Sequence, residues 1–391
     1  MKTKRIFLQA AVILFASILL VSCATSSAPR GKSVTFCSQG EELASFNISK
    51  GEEVVLPPSP VREGYTFNGW WITCSEGVLE YSDDLVARLE DNLITVNARW
   101  LNSSFKVEKL DFDTDGTIQD GTIYKQNLFK FHSDGFCQVY SLTTHSLVSS
   151  FTLDRSNAVK MHSNAVCLGP FLSRTDMFPL IYSNVYNSYS SELDKKKGTV
   201  GVYKLLFNGN SYSSMLIQLI RIGFADDREL WMSPVGSDRS PYGNAVVDPI
   251  ENKIWFFVTR DANQTTRFYC FNLPKPGTGE FDPVSGVNVY TLTADEIICM
   301  FDVPYSFYLQ GACLHDGKIY SLEGMGKAAN PTGIRVIDLE HGIEDSFVDL
   351  QGCGLERESE LIDYWKDGIF VYGDYKGATS PKTALYTISG I

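Results

Sequence analysis

One short pattern returns five times along this chain, and it leaves few folds open. Gln119-Asp-Gly-Thr-Ile123, His162-Ser-Asn-Ala-Val166, Tyr242-Gly-Asn-Ala-Val246, Leu309-Gln-Gly-Ala-Cys313 and Glu358-Ser-Glu-Leu-Ile362 each open a segment that runs through a hairpin into an alternating strand. Later parts of the segments agree as well: Gln138–Leu142, Gly201–Leu205, Arg267–Phe271, Arg335–Leu339 and Thr383–Thr387 read as third strands. Outer strands follow at Leu147–Leu153, Met215–Ile222, Ile297–Val303 and Ser346–Leu350. From Phe105 onward there is no sustained 3.6-residue period, and Asp-Gly and Asn-Gly turns separate the runs. The fifth repeat lacks an outer strand, while Lys106-Val-Glu-Lys-Leu110 stands unpaired ahead of the first. Recruiting that strand into the last repeat would close a ring and remove its open edges. The expected fold is therefore mainly β, with a five-bladed β-propeller over residues 105–391. Spacings of 43, 80, 67 and 49 residues between the starts keep a six-bladed ring or a pair of β-sandwiches open. Tyr182–Ser191 and Lys195–Lys197, in the longest spacing, read as a protruding loop.

Ahead of the repeats lies a shorter unit, residues 33–101. Val34–Phe36, Gly51–Leu56 and Ile94–Trp100 read as strands, and Pro57-Pro58-Ser59-Pro60 as a rigid extended turn. Tyr65, Phe67, Trp70 and Trp100 supply the apolar mass that a small fold needs. Trp71 points to the face opposite Trp70 if the segment is extended, which makes it the candidate for ligand stacking. The order of strand, proline turn, Gly64-Tyr-Thr-Phe-Asn-Gly-Trp70 and closing Ala98-Arg-Trp100 resembles the internalin B-type, or Listeria/Bacteroides, repeat. That resemblance implies a β-grasp-like fold and a spacer or adhesion role without catalysis. Two departures are the turn Cys37-Ser-Gln-Gly40, where the repeat usually has an acidic or Asn-Gly turn, and the presence of a single copy.

Location is read from the first residues. Lys2, Lys4 and Arg5 precede an apolar run from Ile6 to Val21, and Leu20-Val-Ser-Cys23 follows. This resembles the lipobox of bacterial lipoproteins, implying a signal peptide over 1–22, lipidation at Cys23, a flexible tether over 23–32 and membrane attachment through the N-terminal lipid. An ordinary secretory signal or a single membrane-spanning anchor is the alternative. The expected site is the bacterial cell envelope, at the outer membrane, on either its surface or its periplasmic face. The formal net charge of -12 becomes -15 once the three signal cations are removed, which excludes nucleic acid as a partner by repulsion. The eight remaining cysteines show no zinc spacing and sit mostly in apolar runs, so free buried thiols are expected, with Cys37–Cys74 the favoured pair if one forms.

In a propeller the first strand of each blade lines the axis, so the repeat starts should gather Gln119, Asp120, His162, Asn164, Tyr242, Asn244, Gln310 and Glu360 at one mouth. Amide, hydroxyl and carboxylate groups there suit hydrogen bonding to a glycan or a peptide backbone. The alternative is that these groups satisfy blade turns and channel waters. Asp120 and Glu360, from repeats that neighbour each other in a closed ring, would be the acid and base of a carbohydrate hydrolase. Asp111-Phe-Asp-Thr-Asp-Gly116 matches the first half of an EF-hand loop, but Thr122 stands where a bidentate glutamate belongs, which favours an acidic β-turn. No cofactor motif, metal-ligand spacing or catalytic signature is present. The larger domain resembles the propeller-like lipoproteins of Bacteroides and relatives. The expected function is a non-catalytic binding or adhesion module for a glycan or an envelope or host protein. The alternatives are a propeller hydrolase and a scaffold subunit of an outer-membrane complex.

Overall fold

The computed structural model describes residues 31–49, 52–74, 76–154, 159–185, 198–227, 229–231, 243–260, 265–306, 308–328, 330–375 and 382–391. Cys23, the signal segment and Tyr242 lie outside the described residues. Strands dominate. The first unit comprises β1 (Lys32–Ser38), β2 (Glu41–Ile48), β3 (Tyr65–Cys74), β4 (Gly77–Glu80), α1 (Asp83–Arg88) and β5 (Leu93–Asn102). β1 pairs antiparallel with β2 and parallel with β5, and β3 pairs antiparallel with β5. Alternation places Val34, Phe36, Ile94, Val96 and Trp100 inside, under the apolar side of α1. Ser82 caps that helix by accepting from the Leu85 N–H at 3.1 Å. A register shift between Phe67 and Trp70, at Gly69 with φ +88°, turns Trp70 into the core. Its ring meets Phe36 edge-on at 5.0 Å, while Trp71 stays partly exposed. Cys37 and Cys74 are free thiols, so the favoured disulfide is not formed. Their strands both flank β5 and do not pair with each other, which separates the two side chains.

The remaining strands are β6 (Lys106–Asp115), β7 (Asp120–Tyr124), β8 (Asn127–Phe131), β9 (Phe136–Ser141), β10 (Ser146–Thr152), β11 (Met161–Leu168), β12 (Ile181–Val185), β13 (Thr199–Phe207), β14 (Tyr212–Ile222), β15 (Asn244–Asp248), β16 (Lys253–Arg260), β17 (Thr265–Asn272), β18 (Glu280–Asp282), β19 (Val287–Leu292), β20 (Cys299–Pro304), β21 (Leu309–His315), β22 (Lys318–Glu323), β23 (Gly333–Asp338), β24 (Ile343–Asp349), β25 (Glu358–Lys366), β26 (Ile369–Tyr375) and β27 (Lys382–Ser389). Neighbouring strands of this set pair antiparallel except β19, which joins β14 in parallel, and the arrangement is propeller-like. Asp316-Gly317 and Asp367-Gly368, all with positive φ, are the two-residue turns between β21 and β22 and between β25 and β26. β6 pairs antiparallel with β27 from Lys106 to Asp115, joining the start of the ring to its end.

Three expectations need correcting. Five separate blades do not occur: four sheets lie wholly within the ring, and β21–β24 belong to a nine-stranded sheet shared with the first unit. Tyr182–Val185 is not loop but part of β12, buried between β11 and β13, because its apolar side chains fill the space between two sheets. The rest of that stretch, residues 186–197, lies outside the described residues. The acidic Asp111–Asp115 segment is neither a calcium loop nor a turn but the end of β6, with the turn beginning only at Gly116.

The shared sheet fixes the first unit on the ring. Leu101 of β5 bridges Phe347 of β24 in parallel, and ion pairs flank the seam. Arg99 Nε lies 2.7 Å from Glu344 Oε1, and Arg62 Nη2 lies 3.1 Å from Asp345 Oδ2. Lys318 shares Asp345 at 3.1 Å, while Arg335 binds both Glu344 and Glu323. Glu344, Asp345 and Arg335 are each buried, so each charge depends on its partners for the solvation it has lost. Glu344→Ala leaves Arg335 and Arg99 short of a counter-charge and is expected to cost about 3 kcal/mol. Equilibrium urea unfolding checks this, and an unchanged midpoint would contradict it.

Candidate binding site on the ring axis

The inner strands β7, β11, β15, β21 and β25 adjoin one another in that order, and β25 adjoins β7. Polar residues at or near their starts meet one another. Gln119 Nε2 donates to Asn164 Oδ1 at 3.1 Å and to Glu360 Oε2 at 3.0 Å. Asn164 Nδ2 donates to Asn244 Oδ1 at 2.8 Å and to the Leu309 carbonyl at 3.2 Å. Asn244 Nδ2 continues to the Gln310 carbonyl at 2.9 Å, and Gln310 Nε2 reaches Glu358 Oε1 at 2.8 Å. The result is a belt in which each amide passes its donors to the next strand. Of the residues selected from the sequence, the belt brings together Gln119, Asn164, Asn244, Gln310 and Glu360.

Asp120 is fully buried and accepts the Val166 N–H at 2.6 Å, tying the first inner strand to the second. A β-carbon on Gly311 would stand 2.5 Å from Asp120 Oδ1 and 2.1 Å from the Glu360 carbonyl oxygen. Only glycine allows three inner strands to approach this closely. Burial drives the Asp120 carboxyl well above the usual carboxylate range, against the pull of the Val166 N–H. Burial does the same to Glu360, reinforced by the charges of Glu358 and Asp120. Glu358 is raised by burial too, with Gln310 opposing.

Of the expected set, Asp120 and His162 do not hydrogen-bond into the belt among the described residues. His162 is partly buried, and among the described residues no hydrogen bond links it to the belt; burial first, then Lys160, lowers its pKa. Tyr242 lies outside the described residues. Two carboxylates were missed. Glu358 and Glu360 alternate along β25, so the two-residue period that selected one should have selected both. Asp363 accepts from Thr122 Oγ1 at 2.9 Å and from the Ile123 N–H at 2.5 Å, latching β25 to β7; burial pushes it up to about 7. Trp71, the candidate stacking residue of the first unit, carries Arg99 over its ring at 4.6 Å and lines a crevice with Asp302 and Glu344. Among the described residues no group of three or more His, Cys, Asp or Glu is placed to share a metal ion.

Comparison with known proteins adds the following. Residues 33–87 match the Listeria-Bacteroides repeat domain. No curated protein matches the chain. Among solved structures, the chain is similar to the glutaminyl cyclase of Myxococcus xanthus at 10% identity and a TM-score of 0.40, covering 73% of this chain and 97% of that one. It is also similar to the PQQ-bound aldose sugar dehydrogenase of Streptomyces coelicolor at 11% identity and a TM-score of 0.39, covering 73% and 98%. A computationally designed protein, Ika8, gives 12% identity and a TM-score of 0.30 over 71% and 98%.

The raised carboxyls predict a pH dependence. Asp363 binds its proton more tightly folded than unfolded, so its contribution to stability is full below about pH 4 and is lost as pH rises through about 7. Asp363→Asn removes that loss. Relative to the parent, the variant should gain roughly 1–2 kcal/mol between pH 5 and pH 8, the lower figure reflecting residual contact with water. Urea titrations at both pH values check this; a difference that does not change with pH would contradict it. Gly311→Ala should cost roughly 1–3 kcal/mol or more by overpacking the belt, measured in the same way.

Proposed function

We propose that this protein is a non-catalytic binding or adhesion module for a glycan or an envelope or host protein, held at the bacterial cell envelope by a lipid on Cys23. The observation that carries the reading is the state of the two carboxylates a hydrolase would need. Asp120 is fully buried and engaged with the Val166 N–H, and Glu360 is 4% exposed and engaged with Gln119. A glycosidase needs two carboxyls flanking an open space that admits a sugar and, in one class, a water. Here both groups are spent on holding inner strands together, which favours binding over turnover.

Ligand contact falls to the partly exposed groups at the same end of the ring, Gln119, His162 and Glu358. Gln119 and Glu358 each keep one oxygen uncommitted within the belt, and such acceptors suit sugar hydroxyls or peptide N–H groups. The repeat-like first unit supports an adhesive role, and its seam with β24 makes it a fixed part of the surface presented.

The test is binding of residues 24–391 to arrays of glycans and envelope proteins, with a Gln119→Ala/His162→Ala variant beside the parent. Saturable binding that weakens about tenfold or more in the variant is expected, since each lost hydrogen bond in a binding site costs about 0.5–1.5 kcal/mol. Equal binding by the variant would move the site away from the axis. Absence of binding to every member of both arrays would contradict the proposal.

A further inference from the structure

Cys270 of β17 and Cys299 of β20 stand directly opposite each other in an antiparallel pair. Their side chains therefore leave the sheet on the same face. Opposed residues in such a ladder have Cα atoms about 4.5–5.5 Å apart, and disulfides span about 4.4–6.8 Å. They differ in access: Cys270 is 3% exposed, whereas Cys299 is open to solvent. Cys37 and Cys74 have no such arrangement, since their strands do not pair.

The position of the pair gives a bond there a purpose. Between Cys270 and Cys299 the chain leaves its own sheet and runs out to the neighbouring one, where β19 pairs in parallel with β14 and β18 pairs with β19. Gln218 of β14 holds this excursion by donating to the Lys275 and Thr278 carbonyls at 3.2 and 2.8 Å. β20 then returns to β17 at Cys299. A bond between the two sulfurs would staple the excursion at its base.

We propose that Cys270 and Cys299 form a redox-responsive cross-strand dithiol that closes to a disulfide when the protein meets a disulfide oxidant, as in an oxidising envelope compartment. Cys299 loses its proton and its thiolate attacks one sulfur of the oxidant R–S–S–R, expelling one thiolate that takes up a proton as RSH. Cys270 then loses its proton and attacks the Cys299 sulfur of the mixed disulfide, expelling the second RSH. Two protein thiols are oxidised to one disulfide, and one oxidant disulfide is reduced to two thiols. The order follows from access and acidity. Burial pushes Cys270 up to about 12, which suits it to the second step; burial also raises Cys299, but the Cys270 thiol and Lys253 pull it back toward the thiolate.

The test uses the full chain incubated with oxidised glutathione, quenched by thiol alkylation and mapped by mass spectrometry. The expected product is a Cys270–Cys299 linked peptide that dithiothreitol reverses, with Cys37, Cys74, Cys137, Cys167, Cys313 and Cys353 recovered as free thiols. Cys270→Ser should trap one glutathione on Cys299, and Cys299→Ser should leave Cys270 unmodified. Reduction should lower the Tm of the oxidised parent by several degrees and leave the double serine variant unchanged. Quantitative alkylation of both thiols after oxidation, arrest of the parent at a glutathione adduct, or a bond to any other cysteine would overturn the proposal. Because oxidation and mapping are done on the isolated chain, the result does not depend on where the protein resides.

Discussion

The pairing of β6 with β27 is the constraint on which the rest of the molecule depends. It makes the strand just after the first unit serve as the outer strand of the last sheet, so the two ends of the stretch from Lys106 to Ser389 are held by one antiparallel ladder. The position of the first unit follows from this. Only residues 103–105 separate β5 from β6, and Asn102 fixes that corner by donating to the Gly390 carbonyl at 2.7 Å while accepting from the N–H groups of Ser104 and Phe105. With so short a corner, β5 emerges beside β24, and Arg99 and Arg62 come to lie on Glu344 and Asp345. The seam is thus a consequence of ring closure, and its ion pairs convert proximity into a single register.

The axis shows what happens when polar strands converge with little room for water. Amides can relay, since each carries both donor and acceptor, and Gln119, Asn164, Asn244 and Gln310 do so around the belt. Carboxylates cannot: burial raises Asp120, Glu358 and Glu360, and for Glu360 the charges of Glu358 and Asp120 add to it. A hydrogen-bonded network of this kind favours one packing over its alternatives, because a buried group that loses its partner is costly. The same rule governs the seam, where Arg335 holds Glu323 and Glu344 in a buried cluster that Arg99 completes from the other unit.

Much of the fold was legible because its signals are local. Asp-Gly turns, two-residue alternation and the recurring starts mark hairpins without reference to the rest of the chain, and the unpaired Lys106 strand pointed to closure. What the sequence concealed is non-local. The parallel addition of β19 to β14, and of β5 to β24, depends on which edges happen to be free, and edge pairing leaves no period to read. Tyr182–Val185 looked like loop because its tyrosine, serine and asparagine resemble the polar residues that follow, whereas burial on both faces decides otherwise. The belt was visible as a set of polar residues at five starts. That they would bond to one another was not visible, since a Gln or Asn that binds a ligand and one that binds a neighbouring strand are the same residue until the distance between strands is known. Asp363 escaped notice for a related reason: its partners, Thr122 and Ile123, come from the opposite end of the ring.

A ring whose axial carboxyls are occupied, joined through a shared sheet and ion pairs to a small repeat-like unit, is a body suited to presenting one surface. The most direct measurement of that account is the chemical fate of a bound ligand. A ligand identified by array binding is incubated at saturation with residues 24–391 and recovered after long incubation for mass spectrometry. The account predicts that it returns intact, with the same mass and quantity as in a control without protein. Cleavage that requires Asp120 or Glu360 would contradict it and assign those two carboxyls a catalytic role instead.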